Sequence, residues 1–183
     1  MRIFLSTLLS VLLFSSLSYA GSELPTLDNW VNNGEIRKVR DLYSHIQTQI
    51  NENVLSFKSI KYDMEDKGCA TYPIKEKSIY VGEDGFVKKM SVTQIISHRE
   101  PLLLERYYDD HGHIRFVFTK RVGVEVRIYF SAEGVLIWSV EKNGKEYSKT
   151  NHEKGDWETN PLSAELALEF FNRVEGCKVL RND

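Results

Sequence analysis

The chain has 183 residues, with 24 basic and 26 acidic side chains, a formal charge of −2 and 42% hydrophobic residues. That balance excludes the basic excess of a nucleic-acid-binding surface. The length suits one domain with a sizeable core, and no Pro-rich, Gly/Ser-rich or single-charge run marks a linker between two.

The first twenty residues read as a secretory signal peptide. Met1-Arg2 supplies one positive charge, Ile3 to Phe14 an apolar run, and Ser18-Tyr19-Ala20 a small-residue exit. The run is shorter than the roughly 20 residues of a spanning helix. Cleavage before Gly21 is therefore expected, leaving residues 21–183 as one exported domain of formal charge −3 with no transmembrane segment. Export places the chain in the periplasm or outside the cell.

Helical spacing follows. Leu27, Trp30 and Val31 stand at i, i+3, i+4, and Ile36, Val39, Leu42, Tyr43, Ile46 and Ile50 continue the stripe, with Asn33 as the expected N-cap. From Asn53 the period becomes two. Ile60, Tyr62 and Met64, then Ile114, Phe116 and Phe118, then Val126, Ile128 and Phe130 each alternate with other residues, which predicts strands with one buried side.

Turn signals separate these strands, among them Val122-Gly123-Val124 and Asn143-Gly144. Three of the turns share a template. Tyr80 to Val87, Tyr107 to Ile114 and Tyr129 to Leu136 each run from an aromatic strand end through a turn closing in glycine to an apolar strand start. Positive φ at the closing position accounts for the glycine. The pattern is similar to the tyrosine-and-glycine hairpin repeats of exported bacterial β proteins, such as YD-type and MORN-type repeats. That resemblance implies a β-meander and no particular function.

A last helix is expected from Asn160 as N-cap and Pro161 as first helical residue, through Leu162, Leu166, Phe170 and Val174, to Gly176. The two cysteines, Cys69 and Cys177, read as one disulfide in an oxidising compartment. It would close a loop of about 108 residues, for which chain entropy gives about 4 to 5 kcal/mol.

Two constellations are candidates for function. Asp109-Asp110-His111-Gly112-His113 gathers carboxylates and imidazoles that could ligate zinc, although no His-Glu-x-x-His motif accompanies them; a solvated turn is the simpler reading. If Val122-Gly123-Val124 is a three-residue connection, Arg121 opposes Glu125 and Thr119 opposes Arg127. Arg115, Arg121 and Arg127 would then share the sheet face opposite Phe116, Phe118, Ile128 and Phe130, a dock for an anionic group on a lipid, glycan or protein. Nucleophile motifs are missing, and His45, His98 and His152 are scattered.

These readings describe an α+β domain with an N-terminal helix, a curved antiparallel meander of about seven to nine strands, and a C-terminal helix packed on the sheet. The expected function is an exported, non-catalytic binding module with no cofactor, no catalytic residue and no metal. The alternative is a metal-dependent hydrolase using the Asp109 to His113 turn.

Overall fold

The computed structural model describes residues 24–65, 74–95, 100–150, 163–173 and 178–180. A single 3-10 turn at Trp30–Asn32 leads into helix α1, Gly34–Asn51. Asn33 caps it as its sequence position predicts, its side chain accepting from the backbone N–H of Glu35 and Ile36. Eight strands follow: β1 (Ser56–Tyr62), β2 (Ile74–Val81), β3 (Val87–Ile95), β4 (Pro101–Tyr108), β5 (Ile114–Arg121), β6 (Val124–Phe130), β7 (Leu136–Asn143) and β8 (Glu146–Lys149). Helix α2 (Ala164–Asn172) and the two-residue strand β9 (Val179–Leu180) complete the α+β fold.

All nine strands form one antiparallel sheet in the order β8-β7-β6-β5-β4-β3-β2-β1-β9. The expected meander is therefore present, extended by β9, which pairs with β1 through Tyr62 and Val179.

The sheet is buried on both faces, which corrects the expectation of one buried side. Ile36, Val39 and Ile46 of α1 pack with Trp30, Tyr107, Phe116, Tyr129 and Trp138 on one face. Ala164, Ala167 and Phe171 of α2 pack with Ile79, Met90, Val117, Ile128 and Phe130 on the other. Adjacent residues such as Phe116 and Val117 thus serve opposite cores, as strand geometry dictates.

The three-copy turn template becomes three equivalent hairpins at one end of the sheet. In each, the N–H of the closing glycine (Gly85, Gly112, Gly134) donates to the carbonyl of the first turn residue (Gly82, Asp109, Ser131). The glycine φ angles are +82°, +78° and +75°, in the left-handed region. Each hairpin also carries a bulge: Lys88, Arg115 and Ile137 have no opposite residue. The aromatic that opens each copy (Tyr80, Tyr107, Tyr129) falls in a single row across the sheet. That row reads Phe57, Tyr80, Lys89, Tyr107, Phe116, Tyr129, Trp138 from β1 to β7.

The C-terminal helix departs from its sequence reading. Its N-cap is Ser163, whose hydroxyl accepts from Leu166 N–H, and its buried face is Ala164, Ala167 and Phe171, while Leu166 is 48% exposed. The physical reason is an anchor one turn later than expected. Ala164 N–H donates to Gly112 O, and a Cβ on Gly112 would stand 3.3 Å from the Ala164 Cβ. The helix thus starts where small side chains let it meet the β4–β5 turn. Asn160, Pro161, Leu162, Val174, Gly176 and both cysteines lie outside the described residues.

Buried Lys77 closes the other end of α2. Its ammonium donates to Phe170 O at 2.9 Å and Arg173 O at 2.6 Å, satisfying carbonyls that a helix end leaves open. It also lies 4.7 Å from the Phe170 ring centroid.

Candidate functional site

Where α1 crosses β5 and β6, a cleft of about 370 Å³ opens beside the helix. Val39, Arg40, Tyr43 and Ser44 form its helical wall, and Phe116, Phe118, Glu125, Arg127 and Tyr129 its floor. The spacing of Val39, Arg40, Tyr43 and Ser44 is one helical face, so the register of α1 alone brings them together. Alternation places Phe116 and Phe118 on the same side of β5, with Glu125, Arg127 and Tyr129 opposite on β6.

The charges in the cleft are ordered. Arg127 meets Glu125 at 2.8 Å, Glu125 also meets Lys120 at 3.4 Å, and the Arg127 guanidinium carbon lies 6.0 Å from the Phe118 ring. Tyr43 stands edge-on to Tyr107 and Phe116, at 5.0 and 5.6 Å between ring centroids. Burial, reinforced by the negative charge of Glu105, raises the pKa of the Tyr43 phenol. Burial likewise pushes Tyr129 up to about 12. Both therefore stay protonated donors at neutral pH.

A polar chain continues from the cleft beneath α1. Gln47 donates to the Tyr107 hydroxyl at 2.9 Å, which donates to Glu105 at 2.8 Å, and Glu105 pairs with Lys89 at 2.7 Å. The one cation in the aromatic row is thus neutralised by the neighbouring strand.

The three sequence-predicted arginines do not share a face. Hairpin β5–β6 has a two-residue turn at Val122-Gly123, so Arg121 opposes Val124, Lys120 opposes Glu125 and Phe118 opposes Arg127. Shifting the pairing by one residue moves side chains to the other face. Arg127 therefore lies with Phe118 on the α1 side, while Arg121 lies with Val117 and Val124 on the other. Phe116 and Phe118 belong to the α1 core and Ile128 and Phe130 to the α2 core. Arg115 is a bulge residue, donating to Phe130 O and to Asp109 Oδ2.

The Asp109 to His113 segment is built as a turn. Asp109 Oδ1 accepts from the N–H of His111 and His113, its Oδ2 faces Arg115 at 3.4 Å, and Asp110 pairs with Lys88 at 2.8 Å. The His111 and His113 rings are 6.2 Å apart. Among the described residues, no group of three or more His, Cys, Asp or Glu side chains is placed to hold a metal ion. His45 is exposed on α1, and His98 and His152 lie outside the described residues.

Sequence reasoning missed Arg40, the polar chain and the convergence of Tyr43, Phe118 and Glu125 in one cleft, because these groups meet only through strand register and helix placement. It also missed Arg106. This side chain is 1% exposed on the α2 face, between Met90 and Val117, and its Nη1 and Nη2 have no hydrogen-bond acceptor among the described residues. Burial lowers its pKa from 12.5 to about 10, so it remains a cation at neutral pH.

No family model, no curated protein and no solved structure matches the chain.

Proposed function

We propose that this chain is an exported, non-catalytic binding module whose ligand seats in the cleft between α1 and hairpin β5–β6. The observation that carries the reading is the cleft itself. A concave space of about 370 Å³, with aromatic floor and a few ordered polar groups, has the size and lining of a small-molecule site. Phe116, Phe118 and Tyr129 supply the aromatic floor, while Arg40 on the helical wall and the Glu125-paired Arg127 on the floor offer cations. That combination suits an amphipathic ligand with an aromatic or apolar body and an anionic group.

The leader-like first twenty residues support export, and in an oxidising compartment Cys69 and Cys177 form the natural bridge. The Asp109 to His113 turn is not the proposed site, because its carboxylates already hold the hairpin together.

The test uses anilinonaphthalene sulfonate, an anionic aromatic probe, with the folded protein at neutral pH. Saturable binding at one site per chain is expected, abolished by Ser44→Trp, which fills the cleft from the exposed side of α1, and weakened by Arg127→Met. Saturable binding unaffected by Ser44→Trp would place the ligand elsewhere and overturn the proposal.

A further inference from the structure

The hairpin turns at the two ends of the sheet differ in local charge. The three equivalent hairpins present Glu83, Asp84, Asp110 and Glu133 at one end. At the other, the β5–β6 and β7–β8 hairpin ends present Lys120, Arg121, Lys142 and Lys145 beside two acids, Glu125 and Glu146. The described parts of the β1–β2 and β3–β4 connections add Asp63, Glu65 and Glu100 at this second end. The two basic turns touch, Gly144 N–H donating to Gly123 O at 3.3 Å, and between them lies a notch of about 220 Å³. Lys120, Arg121 and Lys142 line it together with Glu125.

These cations are under-compensated. Glu125 is shared between Lys120 and Arg127, and among the described residues Arg121 and Lys145 make no ion pair. At the tip, beyond the cations, stands Val122, 73% exposed, the largest exposure of any hydrophobic side chain in the described turns. Two-residue turns hold the cluster rigidly, since Gly123 and Gly144 adopt positive φ of +76° and +59° without strain.

From this arrangement we propose that the β5–β6 and β7–β8 turns dock the protein on an anionic phospholipid surface, Val122 entering the interface and the four cations meeting headgroup phosphates. A soluble anion needs only the notch. A bilayer uses the exposed valine as well, because it offers an apolar layer directly behind the phosphates. The notch shares Glu125 with the cleft, but Arg121, Val122 and Lys145 lie outside the cleft lining, so the vesicle and dye experiments test the two proposals separately.

The experiment is co-sedimentation of the full chain with phosphatidylcholine vesicles, with and without about 30% phosphatidylglycerol, at low and high salt. Binding is expected only to the anionic vesicles and is expected to disappear at about 0.5 M salt. Lys120→Gln with Arg121→Gln should lower the partition coefficient roughly fivefold per charge, about 25-fold for the pair. Val122→Ser should weaken binding severalfold while leaving the salt dependence intact. The control, Lys58→Gln with Lys61→Gln, removes the same charge from exposed positions on β1 and should bind as the parent does. Failure of the parent to bind anionic vesicles, or equal loss in the control, would overturn the proposal. So would complete displacement by millimolar inorganic phosphate, which would assign the notch to a soluble anion.

Discussion

Two buried cations on one sheet face should respond oppositely to the same substitution. Lys77→Met deletes two charge-assisted hydrogen bonds, to Phe170 O and Arg173 O, each worth about 1.5 to 3 kcal/mol. The apolar replacement recovers part of the ammonium's desolvation, so a net cost of about 2 to 4 kcal/mol is expected. Arg106→Met deletes a guanidinium whose terminal nitrogens have no acceptor among the described residues. Its pKa falls from 12.5 to about 10, which corresponds to about 3 kcal/mol of destabilisation in the charged form. Removing it should stabilise the fold by about 1 to 3 kcal/mol, the smaller volume of methionine offsetting part of the gain. Urea unfolding at pH 7 reads both for a slope of about 2 kcal/mol/M, as a midpoint lowered by about 1 to 2 M in Lys77→Met and raised by about 0.5 to 1.5 M in Arg106→Met. If Arg106→Met destabilises by more than about 1 kcal/mol, the guanidinium has an acceptor and the reasoning is refuted.

Alkaline titration should separate the tyrosines. Burial raises the phenols of Tyr107, Tyr108 and Tyr129 above their ordinary value of 10, Tyr129 to about 12. Their contribution to stability is whole below pH 10 and declines as pH rises beyond it, because only the unfolded chain then ionises. Absorbance at the tyrosinate band should show Tyr129 ionising near pH 12 and Tyr107 and Tyr108 only on unfolding; a single reversible step near pH 10 in folded protein contradicts this. For the cysteines, mass analysis without reductant should find no alkylatable thiol, and replacing Cys69 and Cys177 by Ala should cost a few kcal/mol without abolishing the fold. Two reactive thiols in intact folded protein would rule the bridge out.

Local chemistry was legible in the sequence, whereas register was not. Asn33 as a cap and Gly85, Gly112 and Gly134 as turn closers depend on neighbours within four residues, and each behaves as its position requires. The arginine face failed because a turn of two residues at Val122-Gly123, rather than three, reverses the face of every partner on β6. Bulges at Lys88, Arg115 and Ile137 break the parity again in each template hairpin. Both faces are also covered by helices, so apolar residues occupy both parities and alternation no longer marks a single inside. Lys77 and Arg106 show the same limit: nothing in their flanking residues tells that one meets a helix end while the other finds no acceptor among the described residues.

The meander has a consequence for how the molecule assembles. Eight adjacent pairings in the sheet reduce to seven between consecutive strands and one, β1 with β9, that joins Tyr62 to Val179. The consecutive hairpins need only short loops to close, and can form independently. The β1–β9 pairing and the Lys77 bonds to α2, which span 93 and 96 residues, require most of the chain to be in place. The C-terminal segment therefore acts as a late clasp, whose release exposes one sheet face while leaving the hairpins paired.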